Sequence, residues 1–131
     1  MNIGEVAEAT GLPAKTIRYY ESVGLIDPPA RSQGNYRLYD DRHVATLRFI
    51  QHARNLGFSV KEVTALVALW RDKRRASADV RRLATAHLAV IDVRIAELKQ
   101  MRQTLQHLIE RCHGDHRPDC PILDKLAEEN R

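Results

Sequence analysis

Between Ser77 and Arg111 the chain runs for 35 residues without a glycine or a proline. A breaker-free segment of that length predicts one continuous helix, roughly 52 Å long at the α-helical rise. Its apolar residues recur by heptads. Ala84, Ile91, Leu98 and Leu105 fall on one line, and Val80, Met101 and Leu108 on the adjacent one, where His87 and Arg94 interrupt. A lone helix cannot bury such a stripe, and a second copy of the same helix, parallel or antiparallel, is the simplest cover. Residues 77–111 therefore read as a dimerisation helix and the chain as a homodimer. Aromatics are only 5% of the sequence, with six Gly and five Pro, which agrees with a mainly α protein.

The residues ahead of this helix organise into a small head, 1–70, and a charged linker, 71–76. Asn2 is placed to cap a first helix over Ile3–Thr10, which Gly11 ends. Pro13 then suits the first turn of a second helix, running to about Val23 and stopped by Gly24. Two short helices around a glycine-containing turn form a helix-turn-helix. Asp27-Pro28-Pro29 breaks the chain again, Ser32-Gln33-Gly34-Asn35 is turn chemistry, and Tyr36-Arg37-Leu38-Tyr39 alternates like a strand. This predicts a hairpin wing. A third helix follows from Asp40 or Asp41 to about Leu56, with Val44, Leu47 and Ile50 inward. Ser59 and Glu62 make a capping box for a fourth, ending near Trp70. Beyond Arg111, residues 112–131 are expected to form a polar loop and a terminal helix over 121–129.

On the second helix, Lys15, Arg18 and Tyr19 share one face through i,i+3 and i,i+4 spacing, with Tyr20 beside them. Arginine forks onto guanine edges, lysine neutralises phosphate, and tyrosine hydroxyls bond phosphate oxygens. A solvated basic face, with Ile17 and Tyr20 in the core, would account for the same residues in isolation. A wing bearing Arg31, Tyr36 and Arg37 favours DNA. The net charge of +4 and pI of about 9.3 are compatible with that partner. The surplus, however, lies elsewhere: residues 1–60 carry a net +1, residues 61–111 +5 and residues 112–131 −2. Bulk charge does not locate the interface.

Met1 is followed by Asn-Ile-Gly-Glu-Val rather than a basic and then apolar run, and no stretch has the roughly 18 apolar residues of a membrane span. A cytoplasmic location without membrane association is expected, and there a structural disulfide is disfavoured. The two cysteines, Cys112 and Cys120, bracket the loop His113-Gly114-Asp115-His116-Arg117-Pro118-Asp119. Two thiolates with no obligatory third partner suit a soft, low-coordinate ion, Cu(I) with Ag(I) and Au(I) as alternatives, in linear two-sulfur coordination. A zinc set of Cys112, His113, His116 and Cys120 is the competing divalent reading, although it requires consecutive residues 112 and 113 both to turn inward. Inert packing or a redox pair is the third.

The run Gly4-Glu5-Val6-Ala7, then Thr16-Ile17-Arg18-Tyr19-Tyr20-Glu21, Gly24-Leu25-Ile26 and Tyr36-Arg37-Leu38-Tyr39 resembles the MerR family of winged-helix regulators, and the match extends end to end. Within it, the Cys112/Cys120 spacing and Ser77 resemble the copper-efflux members. The resemblance implies a homodimer with an antiparallel coiled coil, bound to an inverted repeat within a promoter whose spacer is overlong. Metal binding would distort that DNA so that RNA polymerase engages both promoter elements. It places Lys15, Thr16, Arg18, Tyr19 and Tyr20 on the recognition helix, Arg31, Tyr36 and Arg37 on the wing, and Arg54 as a further phosphate contact. It also implies that divalent-responsive relatives hold a partner-subunit cysteine where this chain has Ser77. A hydroxyl there removes the third soft ligand; Ser77 is also explained as an ordinary helix N-cap.

The expectation is thus a copper(I)-responsive activator of copper export or detoxification genes. A zinc or mercury responder on the same scaffold, or a copper carrier that does not touch DNA, are the alternatives. An enzyme is disfavoured: there is no nucleophile–base pair and no Gly-rich phosphate loop, and the thiols lack the spacing of a Cys-x-x-Cys redox motif.

Overall fold

The computed structural model describes residues 1–129. Asn130 and Arg131, the last two positions of the expected 112–131 segment, lie outside the described residues. The chain divides into two compact units, residues 1–83 and a second beginning at Ala84.

In the first unit, α1 (Ile3–Thr10) starts at a reciprocal cap: the Glu5 N–H reaches Asn2 Oδ1 at 2.9 Å, and the Asn2 N–H reaches Glu5 Oε1 at 3.1 Å. Gly11 closes α1 with φ of 72°, a conformation that favours glycine. Pro13 lies one step earlier than expected. It precedes α2 (Ala14–Ser22) in extended backbone, and its carbonyl accepts the Thr16 and Ile17 N–H groups. The wing is β1 (Ala30–Arg31) paired antiparallel with β2 (Arg37–Leu38), Ala30 opposite Leu38 and Arg31 opposite Arg37. It is shorter than the predicted Tyr36–Tyr39 strand for two reasons. Tyr36 is taken up by the turn, its carbonyl accepting the Ser32 N–H at 2.9 Å. Tyr39 pairs instead with Met1: its N–H donates to the Met1 carbonyl, and its own carbonyl accepts the Met1 ammonium, both at 2.7 Å.

The third helix, α3 (Asp41–Asn55), is capped by Asp40, whose carboxylate accepts the His43 N–H at 3.0 Å. The fourth, α4 (Val60–Arg71), carries the Ser59/Glu62 box that its sequence predicts. Helix α1 packs on α2 and α3, and α3 packs on α4. Between them Val6, Ile17, Leu25, Ile26, Leu47, Ile50 and Val63 are fully enclosed. Each such aliphatic side chain contributes about 1.5–3 kcal/mol of burial free energy. Phe49 of α3 and Trp70 of α4 stack at 4.5 Å with planes 9° apart.

The long helix is α5 (Ser77–Arg111), with the bounds its sequence predicts. Ser77 itself is the first helical residue and not the residue before it; the Asp79 N–H goes to the Ala76 carbonyl at 3.0 Å. The N-cap reading of Ser77 is corrected accordingly. In the second unit Leu88, Ile95, Leu98, Met101, Leu105 and Ile109 of α5 are exposed, whereas His87 and Leu108 are buried. The terminal helix, α6 (Pro121–Leu126), is shorter than the predicted 121–129. The Glu128 N–H turns back to the Lys125 carbonyl, and the Lys125 ammonium pairs with the Glu128 carboxylate at 2.9 Å, closing the turn. Among the described residues no helix is long and apolar enough to cross a membrane.

Candidate functional site

The predicted DNA face begins on α2. With Ile17 fully buried as the inward anchor, Lys15, Arg18 and Tyr19 point outward, Tyr19 at 51% exposure. Thr16 is half-buried beside them. Tyr20 does not share this face. It is 7% exposed within the hydrophobic core, its ring tilted against Tyr19 at 5.9 Å. Its placement among the outward DNA contacts is corrected: one step along the helix from Tyr19, about 100° of rotation carries it inward.

On the wing, Tyr36 is 75% exposed at the tip. The tip is shaped by Asn35 at φ 63° and by Arg31, whose Nη1 donates to the Asn35 carbonyl at 3.2 Å. Arg37 is held from behind. Its Nε donates to both Glu21 oxygens, at 3.1 and 3.3 Å, tying wing strand β2 to helix α2. Arg54 spends one guanidinium nitrogen on the Phe58 carbonyl at 2.8 Å, which secures the α3–α4 turn and leaves its remaining N–H groups at the surface.

Two residues beneath this face escape a sequence reading. Glu21 stands in the motif run, but its partner lies sixteen positions away and no local spacing announces it. Its negative charge and burial together push the Tyr39 hydroxyl above its ordinary pKa, burial being the larger cause, and that buried hydroxyl has no hydrogen-bond partner. The second is His43, whose Nε2 lies 3.0 Å from the Asp27 carbonyl while Nδ1 accepts the Asp40 N–H. It clamps the chain entering the wing to the helix leaving it. The His43 N–H, with smaller help from its ring, holds the Asp40 carboxyl below the ordinary carboxylate range.

The second candidate site lies wholly in the other unit. Cys112 follows the last turn of α5, its N–H on the Ile109 carbonyl at 3.1 Å, and Cys120 stands at the start of α6 ahead of Pro121. Both are free thiols and half-buried. The backbone N–H groups of Leu123 and Ile122 face the Cys120 sulfur. Leu123 is the largest cause of a lowered Cys120 pKa, against opposing burial and the Asp124 charge. The intervening loop is folded on itself: Asp115 accepts from the Arg117 N–H and from Nε, both at 2.9 Å, which lowers the Asp115 pKa. His113 and His116 are exposed, and among the described residues no group of three or more His, Cys, Asp or Glu converges for a metal ion. What the loop offers at its two ends is a pair of half-buried sulfurs. A two-sulfur set with flanking N–H groups fits a monovalent soft cation, whose complex with two thiolates carries a net −1. It does not supply the four ligands of a tetrahedral zinc site from these residues.

Comparison with known proteins adds family-level findings. The family model "MerR HTH family regulatory protein" matches residues 1–69, and "MerR, DNA binding" matches residues 44–108. The chain is 51% identical, over 97% of its length and 86% of the relative's, to a "Heavy metal-dependent transcription regulator 2" of Rhizobium meliloti (strain 1021). It is 46% identical to the HTH-type transcriptional regulator CueR of Salmonella typhimurium, covering 97% of this chain and 92% of that one. Among solved structures it resembles a transcription regulator from Ralstonia metallidurans CH34 in complex with lead(II), with TM-score 0.83, 34% identity, and coverage of 97% and 99%.

Proposed function

This chain belongs to the MerR family of helix-turn-helix regulatory proteins, and on that premise we propose that it is a copper(I)-responsive transcription activator. The observation that carries the metal reading is the pair of half-buried free thiols, Cys112 and Cys120, at the two ends of one short exposed loop. Two thiolates of this kind bind Cu(I), Ag(I) or Au(I) in linear coordination. The Leu123 and Ile122 N–H groups beside Cys120 offset the remaining negative charge. Ser77 withholds a third soft ligand, which disfavours a divalent ion.

The head supplies the DNA end. Arg18 reads a base edge, Lys15, Tyr19, Tyr36 and Arg54 engage phosphates, and Arg31 and Arg37 shape the wing that reaches the backbone. The protein acts as a homodimer through the exposed apolar stripe of α5, on an inverted repeat, in the cytoplasm. It remains bound while the metal changes the DNA path for RNA polymerase. The target genes then encode copper export or detoxification. The family consists of transcription regulators, so the enzyme and free-carrier readings are set aside.

A second reading is favoured by one observation, the similarity to a lead(II)-bound regulator: a divalent responder on the same scaffold. Titration of the reduced protein with Cu(I), Ag(I) and Zn(II), followed by transcription from its promoter, separates the two. One monovalent ion per chain with zinc excluded supports the copper reading, and preferential zinc binding overturns it.

A further inference from the structure

We propose that the cleft between the end of α5 and α6 binds a short acidic thiol peptide, the carrier from which the loop takes its copper(I). This rests on the metal reading of Cys112 and Cys120 and names the donor to that same site. The cleft lies wholly in the second unit and measures about 430 Å³, the size of a small-ligand pocket. Leu108, 8% exposed, is its apolar floor. Gln100 and Gln103 supply amide groups along one wall, and His107 and Arg111 continue it at i+7 and i+11 on the same helical face. Lys125 of α6 stands on the other side. The carboxylate lining the cleft, Glu128, is neutralised by Lys125 at 2.9 Å, whereas Arg111 enters no ion pair among the described residues.

Three features point to the occupant. The unpaired guanidinium takes a carboxylate, and side-chain amides pair with peptide groups, so with an apolar floor the cleft fits a short carboxylate-bearing peptide. His107 stands two residues from both Leu105 and Ile109, about 200° around the helix, so the cleft faces away from the exposed apolar stripe. It stays open when a second copy covers that stripe. The loop is attached to both walls. Cys112 follows Arg111, and a smaller hollow of about 160 Å³, bordered by Arg111, Asp124 and Lys125, runs to Pro121, the residue after Cys120. A soft monovalent ion travels on thiolate sulfur, so a carboxylate-bearing thiol held here brings its ion to the loop. Transfer is ligand exchange without redox change. Two donor sulfur–copper bonds break as bonds to Cys112 and Cys120 form, and the two cysteine protons pass to the departing thiolates.

The test uses the full-length reduced protein and reduced glutathione as the probe peptide. The S-methyl form of that peptide, which carries no thiolate, should bind the metal-free protein saturably. Arg111→Gln should weaken this binding by at least about tenfold, the loss of one charge-assisted pair. Lys125→Gln, farther from the cysteines, should act in the same direction, with melting temperature and operator binding unchanged in both variants. Cu(I) presented as the glutathione complex should load the loop about tenfold faster than Cu(I) on the peptide's diethyl ester, and Arg111→Gln should erase the difference. No binding of the S-methyl peptide, equal loading from acid and ester, or inorganic phosphate competing as well as the peptide would overturn the inference. Copper uptake without peptide binding leaves the metal reading standing and removes the cleft. Peptide binding by a protein that takes up no copper from either carrier sinks the metal reading and the donor role with it.

Discussion

The Glu21 carboxylate accepts the Arg37 Nε–H on both oxygens, joining the recognition helix to the wing across sixteen residues of sequence. Both side chains are largely shielded, at 15% and 32% exposure, so the pair acts as a brace rather than a solvated surface contact. Glu21→Gln keeps the shape and removes the charge. It should cost roughly 1–2 kcal/mol of head stability and lower specific operator affinity by about tenfold. Non-specific DNA binding should hold or rise, since a negative charge is gone. Loss of both in parallel would show that Glu21 acts through folding alone.

The two adjacent tyrosines should behave as opposites. Tyr19→Phe should weaken DNA binding, because an exposed hydroxyl is lost, and leave the melting temperature unchanged. Tyr20→Ala should cost about 3–5 kcal/mol as a core truncation. Thermal denaturation beside gel shifts separates these effects.

Arg18→Ala should cost about 1–3 kcal/mol of operator affinity and relax preference at one base position. Lys15→Ala should weaken all sequences alike and reduce the salt slope by about one counterion. Unchanged specificity in Arg18→Ala would move the base-reading face elsewhere.

Cys112→Ser or Cys120→Ser should each abolish copper induction while operator binding persists, because either change leaves a single sulfur. Ser77→Cys should strengthen Zn(II) and Hg(II) binding in the dimer by adding a third thiolate, whose charge a divalent ion balances. Since Ser77 is the first helical residue and not its cap, the exchange should alter stability by only a few tenths of a kcal/mol. A folded Ser77→Cys dimer with no gain for either ion would place selectivity in the 112–120 loop.

Asp40 sets a pH dependence whose sign follows from its lowered pKa. A carboxylate held below its unfolded value stabilises the fold above the ordinary carboxylate range, and that contribution is lost as pH falls through the lowered value. Urea midpoints of wild type and Asp40→Ala should therefore differ at neutral pH and converge in acid. A constant gap down to strongly acidic pH would assign Asp40 no charged role.

Much of this was legible because the deciding signals are local. The Asn2 cap and the Ser59/Glu62 box are announced within a few residues, and the uninterrupted run to Arg111 needs no tertiary knowledge. What escaped is non-local. Tyr39 pairs with Met1 and so shortens the wing strand. Glu21 finds Arg37, and the choice of Tyr19 over Tyr20 as the outward ring depends on which face of α2 meets the core. The half-burial of the two thiols amid an exposed loop is likewise a product of the fold, which spacing alone leaves undetermined.

The Asp115–Arg117 clasp has a thermodynamic consequence. A contact between residues 115 and 117 restrains the middle of the segment that separates the two thiols, so that segment has fewer conformations to lose when an ion arrives. Less of the binding free energy then goes into ordering the loop, which raises the affinity two sulfurs alone can deliver.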